Sequence, residues 1–419
     1  MNIIVFDILL SLMLFLKQKL VKGISPFLVL SLPYLLLVNV NNFVMVNIYN
    51  YLPISELALV YTLLFLAIIF LIEIIVSLSF KRIKVTRVSL VFKRKNYNIV
   101  VFLFYIGLIA YILSFVLRVM QYGLNGIKGM NNGLLGHISF LFKIISPLYL
   151  DYKIEKKQIK RGIFFIALGI MISLLFGGKY GIFVNILYII VYYLLKEKRN
   201  TKKVLTIFAV FGLTGFLVFL FLYAVIPMLT HSYGSYATMQ TSVDFAIEHF
   251  FSYLCHPLIA SNYAFTNIDS NSSLVPFTVV INIFKALTGN KDYVDPIYDF
   301  VFPATVEKNT NVAGLFGELH YCLGPLSLLF VFCTFIVIEI FWQLYKRKRM
   351  YFLTNCFLLS IVSLMFFCNF FTVSGMVLPL IYLFVIETFL QATPRKKTGN
   401  IFNDSSLKKS IILPIKDKA

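Results

Sequence analysis

Charge is what this sequence has least of. Only 13% of its 419 residues are charged, against about 25% in an average globular domain. Hydrophobic residues make up 59%, and mean hydropathy is +0.86. A soluble chain of this length cannot bury so much apolar surface, so the composition excludes a soluble enzyme and implies a polytopic membrane protein. A cleavable leader is also not expected. The apolar run Ile3 to Leu16 is followed, not preceded, by Lys17, Lys19 and Lys22, and no small-residue cleavage site comes after it. It is expected to stay as a membrane helix. No phosphate-loop pattern, internal repeat or nucleic-acid motif is present. The net charge of +20 would suggest nucleic acid only if placement were ignored. The cations sit beside apolar segments, as membrane topology requires.

Eleven apolar runs fall near residues 3–16, 24–46, 55–79, 98–120, 134–150, 162–177, 180–195, 204–228, 313–341, 351–370 and 373–391. A bilayer crossing takes about 20 apolar residues. The expected fold is therefore an all-α polytopic integral membrane protein with about 11 transmembrane helices. Segments 17–22, 80–97, 151–161, 196–203 and 345–350, with the tail from Arg395, hold 31 of the 38 basic residues. They alternate with loops nearly free of Lys and Arg. Positive-inside sorting then puts the amino terminus outside and the carboxyl terminus in the cytoplasm. The chain divides into a membrane domain, 1–228, with eight spans, a large extracytoplasmic loop, 229–312, a second membrane domain, 313–393, with three spans, and a basic cytoplasmic tail, 394–419.

Cysteine adds little. Of Cys255, Cys322, Cys333, Cys356 and Cys368, only the first two fall near the outer face, where a disulfide is chemically allowed. Spacing does not show whether they meet, and free thiols are expected.

Seven cations escape the sorting. Arg118, Lys128, Lys179, Lys285, Lys291 and Lys308 fall on or near the outer side, and Lys143 falls inside a span. Snorkelling or solvated loops account for such residues, as does a bound anion. Lys179 sits in Phe176-Gly177-Gly178-Lys179-Tyr180-Gly181, between two short spans. Three glycines around one Lys make a tight outer turn whose N–H groups can face an anion. The same spacing also fits a plain hairpin tip. Two charges lie within spans: Glu73 is eight residues before Lys81, and Lys143 is eight residues before Asp151. Both lie ~12 Å from the inner boundary by helical rise. Their matched depth predicts a structural Glu73–Lys143 ion pair.

The outer stretch 229–312 carries three Lys, seven acidic residues and no Arg. Thr241-Ser242-Val243-Asp244 fits a capping box with Thr241 as N-cap, and Pro257 is expected to close that helix at His256. His249 and His256 share a face, with Ser252 between them. They stand ~10.5 Å apart along the axis, too far for one metal ion, and no other cluster completes a metal site. Each suits a general base, and each equally suits interfacial packing with Phe250, Phe251 and Tyr253. Glu318 and His320 form an ionisable pair at the outer end of the ninth span, where glycines 314, 317 and 324 allow close helix packing.

The Gly-Gly-cation-x-Gly turn between short spans, the single large outer loop late in the chain, and Phe316-Gly317-Glu318 followed by Gly324 together resemble the Wzy-type O-antigen and capsule repeat-unit polymerases. The likeness runs over roughly residues 20 to 392. It implies a GT-C-like, metal-independent glycosyltransferase without a cofactor, acting on polyprenyl-pyrophosphate-linked oligosaccharides at the outer face of a bacterial cytoplasmic membrane. With the residue readings above, His256, Glu318 and His320 are the catalytic candidates, and Arg118, Lys179, Lys285 and His249 the substrate-binding candidates. Lys179 stands where the family motif usually carries Arg. Related ligases carry a His where this chain has Asn309-Thr310-Asn311. Beyond the lipid-linked oligosaccharide and membrane lipid, the implied partners are a chain-length regulator and a flippase; nucleic acid is not among them.

The residue types suit this chemistry. Displacing a sugar from a pyrophosphate needs cations on the leaving group and a base near the acceptor hydroxyl. Tyr233, Tyr236, Tyr253, Asn262 and Tyr263 suit sugar binding, and tyrosine is equally a normal interface residue. The alternative is a lipid-linked-oligosaccharide flippase, which would show matched internal halves. A monomer-adding glycosyltransferase would carry an acidic first outer loop, but Asn47 to Ser55 holds no Asp or Glu.

Overall fold

A computed structural model describes residues 2–81, 97–123, 133–175, 179–196, 239–290, 292–294, 301–305, 308–348 and 350–392, with positions 213, 216, 217 and 220. Helices fill nearly all of them: α1 Ile3–Leu20, α2 Pro26–Tyr49, and α3 Glu56–Lys81, α4 Tyr97–Tyr122, α5 Gly133–Glu155, α6 Ile159–Leu175 and α7 Lys179–Lys196. The 229–312 stretch adds α8 Met239–Ala264 and α9 Thr278–Leu287. α10 Gly314–Leu323, α11 Leu326–Lys348, α12 Phe352–Val362 and α13 Ser374–Ala392 complete the chain. One short antiparallel hairpin pairs β1 Phe302–Pro303 with β2 Asn309–Thr310.

Among the described residues, five helices are long and apolar enough to cross a bilayer: Pro26–Tyr49, Glu56–Lys81, Asn98–Tyr122, Gly133–Glu155 and Leu326–Arg347. Several shorter apolar helices pack with them. The chain is an all-α membrane protein. Its helices start where the residues dictate. Ser25 accepts from the Leu28 N–H at 3.3 Å and Pro26 follows at the first helical position of α2. Ser55 does the same for Ala58 of α3 at 3.2 Å.

Two apolar runs are broken rather than continuous. The ninth, expected as one span over 313–341, is split into α10 and α11. Gly324 takes φ +53° and Pro325 has no N–H, so the ladder stops between them. The tenth, expected over 351–370, is helical only to Val362; residues 363–373 continue as turns with one 3-10 turn at Phe370–Thr372. The expected eighth span, 204–228, lies outside the described residues, apart from single helical positions.

Irregular backbone at membrane depth needs partners from the protein. Glu318 supplies them. Its Oε2 accepts from the Asn369 N–H at 2.8 Å and its Oε1 from the Ala313 N–H at 3.4 Å. The Leu315 N–H donates to the Met365 carbonyl at 2.9 Å. Gly314, at φ +65°, makes this approach possible, because a Cβ there would stand 2.8 Å from the Phe366 carbonyl oxygen. Gly317 meets Ser261 of α8 as closely: a Cβ there would lie 3.2 Å from the Ser261 Cβ, the close packing its glycine predicts. Glu387 of α13 plays the same part for α12. It accepts the Leu353 and Thr354 N–H groups, both at 2.9 Å, and the Thr354 hydroxyl at 2.6 Å.

The expected Glu73–Lys143 pair does not form. Glu73 lies 3.9 Å from Lys17 of α1, and both side chains are buried. Lys143 instead sits over the Phe140 ring at 5.5 Å and faces Gly181 of α7. α1, not α5, is the helix packed on α3 there. Depth alone does not choose a neighbour.

The described parts of the basic segments gather at one end of the bundle. The Lys346 ammonium donates to the Lys22 carbonyl at 3.2 Å, Arg347 to the Ser77 carbonyl at 3.2 Å, and Lys196 pairs with Asp151 at 2.5 Å. The opposite end collects the described parts of 229–312. There Asn262 of α8 accepts the Ser55 N–H and donates to the Pro53 carbonyl, both at 2.8 Å, and Tyr51 bridges to Thr305. All five cysteines are free thiols.

Candidate functional site

The site is built on α8. The helix begins at Met239, two residues before Thr241, so Thr241 is not its N-cap. It also runs through Pro257 to Ala264 instead of ending at His256. Proline removes one N–H and one ladder bond. Tight burial of residues 255–261 outweighs that local cost. The continuous helix keeps His249, Ser252 and His256 on one face, and that face borders a cavity of about 460 Å³.

The cavity lies between α8, the β2 strand and the broken tenth run. His249, Ser252, Tyr253 and His256 form one wall. Asn309, Thr310 and Asn311 form a second, and Phe367, carried by the Glu318-bound segment, closes a third. Aromatic contacts fix the wall: the His249 ring stands 5.4 Å from Phe245 and 5.0 Å from Tyr253, while Tyr253 stacks on Phe367 at 6.0 Å. The Ser252 hydroxyl donates to the His249 carbonyl at 2.7 Å.

His256 is the group the site leaves unsatisfied. It is 6% exposed, its ring packs on Tyr51 at 4.7 Å, and its Nε2 has no hydrogen-bond partner among the described residues. A buried polar atom without a partner is costly, and a ligand hydroxyl removes that cost. Burial lowers the imidazole pKa to about 4, and the nearby Lys308 ammonium adds to the effect. His256 is therefore neutral at pH 7, with a lone pair or an N–H to offer. Lys308 itself is held by the Glu248 carboxylate. Burial also raises the neighbouring Cys255 thiol to about 12, so it is not a nucleophile.

The other candidates fall elsewhere. Glu318 is buried behind the site with its oxygens on backbone N–H groups, which makes it a positioning group for Phe367. His320 is buried between the rings of Tyr61 at 4.8 Å and Phe265 at 5.3 Å. Neither lines the cavity. Lys285 is on α9, where its ammonium donates to the Asp292 carbonyl. Arg118 lies over the Tyr122 ring, 5.2 Å from its centroid, at the end of α4. Lys179 is the first residue of α7; Gly177 and Gly178 before it lie outside the described residues, as do Lys128 and Lys291. No group of three or more His, Cys, Asp or Glu converges among the described residues.

Sequence reasoning found the two histidines and their shared face. It missed Tyr51 and Phe367. Phe367 is hidden in an apolar run with nothing to mark it, and Tyr51 reaches the site only through tertiary packing. The Asn309-Thr310-Asn311 segment drew attention for the His it lacks, yet its polar side chains are a wall of the cavity. Comparison with known proteins finds no matching family model, no matching curated protein and no matching solved structure.

Proposed function

We propose that this chain is a GT-C-like polymerase of about eleven spans, joining polyprenyl-pyrophosphate-linked oligosaccharide repeat units at the outer face of a bacterial cytoplasmic membrane. The observation that carries the reading is the outer cavity. Its size suits a small-molecule or oligosaccharide end. Its walls combine aromatic faces, amides, hydroxyls and imidazoles, with no carboxylate among the lining residues. Aromatic faces stack on sugars, and amides pair with hydroxyls. The gathering of basic segments at the opposite end of the bundle supports placing this end outside.

In the proposed reaction the hydroxyl oxygen of one lipid-linked oligosaccharide attacks the anomeric carbon of another. The new C–O bond forms as the bond to pyrophosphate breaks, and the electron pair leaves with the polyprenyl pyrophosphate. The hydroxyl proton passes to His256 Nε2 or, through a bound hydroxyl, to His249, and then to water. Lys179, the first residue of α7, stabilises the charge that collects on the leaving group. A flippase would deliver the substrate and a chain-length regulator would act on the product.

The test uses a cell that depends on this chain for its surface polysaccharide. A reporter fused near Asn271 should read outside and one near Lys198 inside. His256→Phe, which fills the cavity, should leave protein abundance unchanged and leave single repeat units on the surface. Lys179→Ala should do the same, and Lys179→Arg should retain long polymer. Loss of all surface units on deletion of the chain would instead favour the flippase. Full-length polymer from His256→Phe would remove the cavity from the mechanism.

A further inference from the structure

The outer stretch holds a second helix whose two faces differ sharply. On α9 and the turn before it, Phe277, Val280, Phe284 and Leu287 recur at spacings of three and four, so they share one face. That face is bare: Val280 is 71% exposed, Phe284 68% and Leu287 81%. The polar side is fully engaged. The Asn282 side chain both donates to the Val294 carbonyl and accepts the Val294 N–H, each at 2.8 Å, and Lys285 donates to the Asp292 carbonyl. An aqueous loop would expose the polar side and bury the apolar one. Here the order is reversed.

What covers the bare face is set by what it joins. The Phe277 ring packs on Phe330 of α11 at 5.5 Å. Phe330 lies four residues into that spanning helix, about 6 Å below its outer end by helical rise. Beside it on α11, Leu326 and Leu329 are exposed, as lipid-facing residues of a spanning helix are. The apolar face of α9 is thus continuous with the lipid-facing surface of α11, at the depth of ~5–10 Å that interfacial helices reach.

We infer that α9 is a membrane-interface helix, with Phe277, Val280, Phe284 and Leu287 inserted at the headgroup–acyl boundary of the outer leaflet. The helix packs on the Phe370–Thr372 turn. That turn belongs to the same broken run as Phe367, so lipid contact and the cavity wall share one segment. The inference rests on the membrane class of the chain and not on the polymerase reading.

Phe284→Trp tests it in the full chain reconstituted in lipid nanodiscs. The sequence has one tryptophan, Trp342, buried in the bundle, so the unsubstituted protein gives the baseline to subtract. With lipids brominated high on the acyl chain, the new tryptophan should emit at short wavelength and lose at least half its intensity. Bromines deep in the chain should quench it less, and Asn290→Trp, past the helix end, should be quenched less still. Val280→Trp repeats the measurement on the same face if Phe284→Trp folds poorly. Emission no more quenched than that of Asn290→Trp overturns the inference. Water exposure would then give long-wavelength emission, and burial against a second copy of the chain would give short-wavelength emission without quenching.

Discussion

Glu318 separates a catalytic carboxylate from a structural one. Its Oε2 takes the Asn369 N–H at 2.8 Å and its Oε1 the Ala313 N–H at 3.4 Å, and the residue is buried. Glu318→Ala leaves both N–H groups without their acceptor. Each buried, unsatisfied group costs about 1–3 kcal/mol, the longer bond counting at the low end. The sum, about 2–4 kcal/mol, is a large fraction of the 5–15 kcal/mol that holds a typical native state. Glu318→Gln keeps one acceptor oxygen for Asn369 but turns the other position into a donor facing the Ala313 N–H, at a cost of about 1–2 kcal/mol. The expected order of melting temperatures in detergent is wild type, then Glu318→Gln, then Glu318→Ala. On the proposed polymerase reading, polymer length on a gel, normalised to folded protein, should be close to wild type for Glu318→Gln, because Phe367 stays in place. A Glu318→Gln protein that melts like wild type yet makes only single repeat units would put the carboxylate in the chemistry. A Glu318→Ala protein that melts like wild type would show that the N–H contacts hold nothing.

The Lys17–Glu73 pair should behave as a coupled unit. Lys17→Met and Glu73→Gln should each lower protein abundance, since a charge left alone in a bilayer costs about 2.5–3.5 kcal/mol on insertion scales. Exchanging the two charges should restore part of the abundance, and exchanging Glu73 with Lys143 should restore none; single changes that leave abundance intact sink the pairing. If the proposed polymerase reading holds, the pH profile of polymerisation by purified protein should be flat from neutral pH down to about 5.5 and fall as pH approaches the His256 value of about 4. The sign follows from the neutral ring being the active form: protonation removes it, and burial delays protonation below the ordinary value of 6.5. An inflection near 6.5 that His256→Asn abolishes would mean that the ring is solvated in the working enzyme.

The class of the fold was plain in the sequence because it rests on bulk quantities. Apolar run length and the placement of cations depend on the bilayer, not on which helix touches which. Full-length helices such as α3, α4 and α5 match their predicted runs to within a few residues. The failures share one cause. Apolar content sets that a segment is buried, but not that it is helical, so the breaks at Gly324-Pro325 and after Val362 left hydropathy unchanged. Pro257 failed in the opposite direction, because packing of α8 overrode a local stop signal. Seven-residue spacing correctly put His249 and His256 on one face, since periodicity survives wherever the helix is continuous. Nothing local marked Tyr51 or Phe367. The apolar period of α9, at spacings of three and four, is present in the sequence but lies among polar residues.

The buried carboxylates belong with those breaks. Glu318 and Glu387 each accept N–H groups where a neighbouring helix has ended or begun. In water such N–H groups would be solvated at no cost; within a bundle they need an acceptor that the protein supplies. At these two carboxylates, burial goes with irregular backbone nearby, whereas buried Glu73 faces Lys17 within continuous helices. The position of the irregularity is what bears on function. The segment 363–373 is fixed by Glu318 on one side, presents Phe367 to the cavity, and carries the turn against which α9 packs. A continuous tenth helix would place residue 367 on a regular helical face and leave the cavity without its third wall. Glu318 thus acts on the site at one remove, through the segment it anchors.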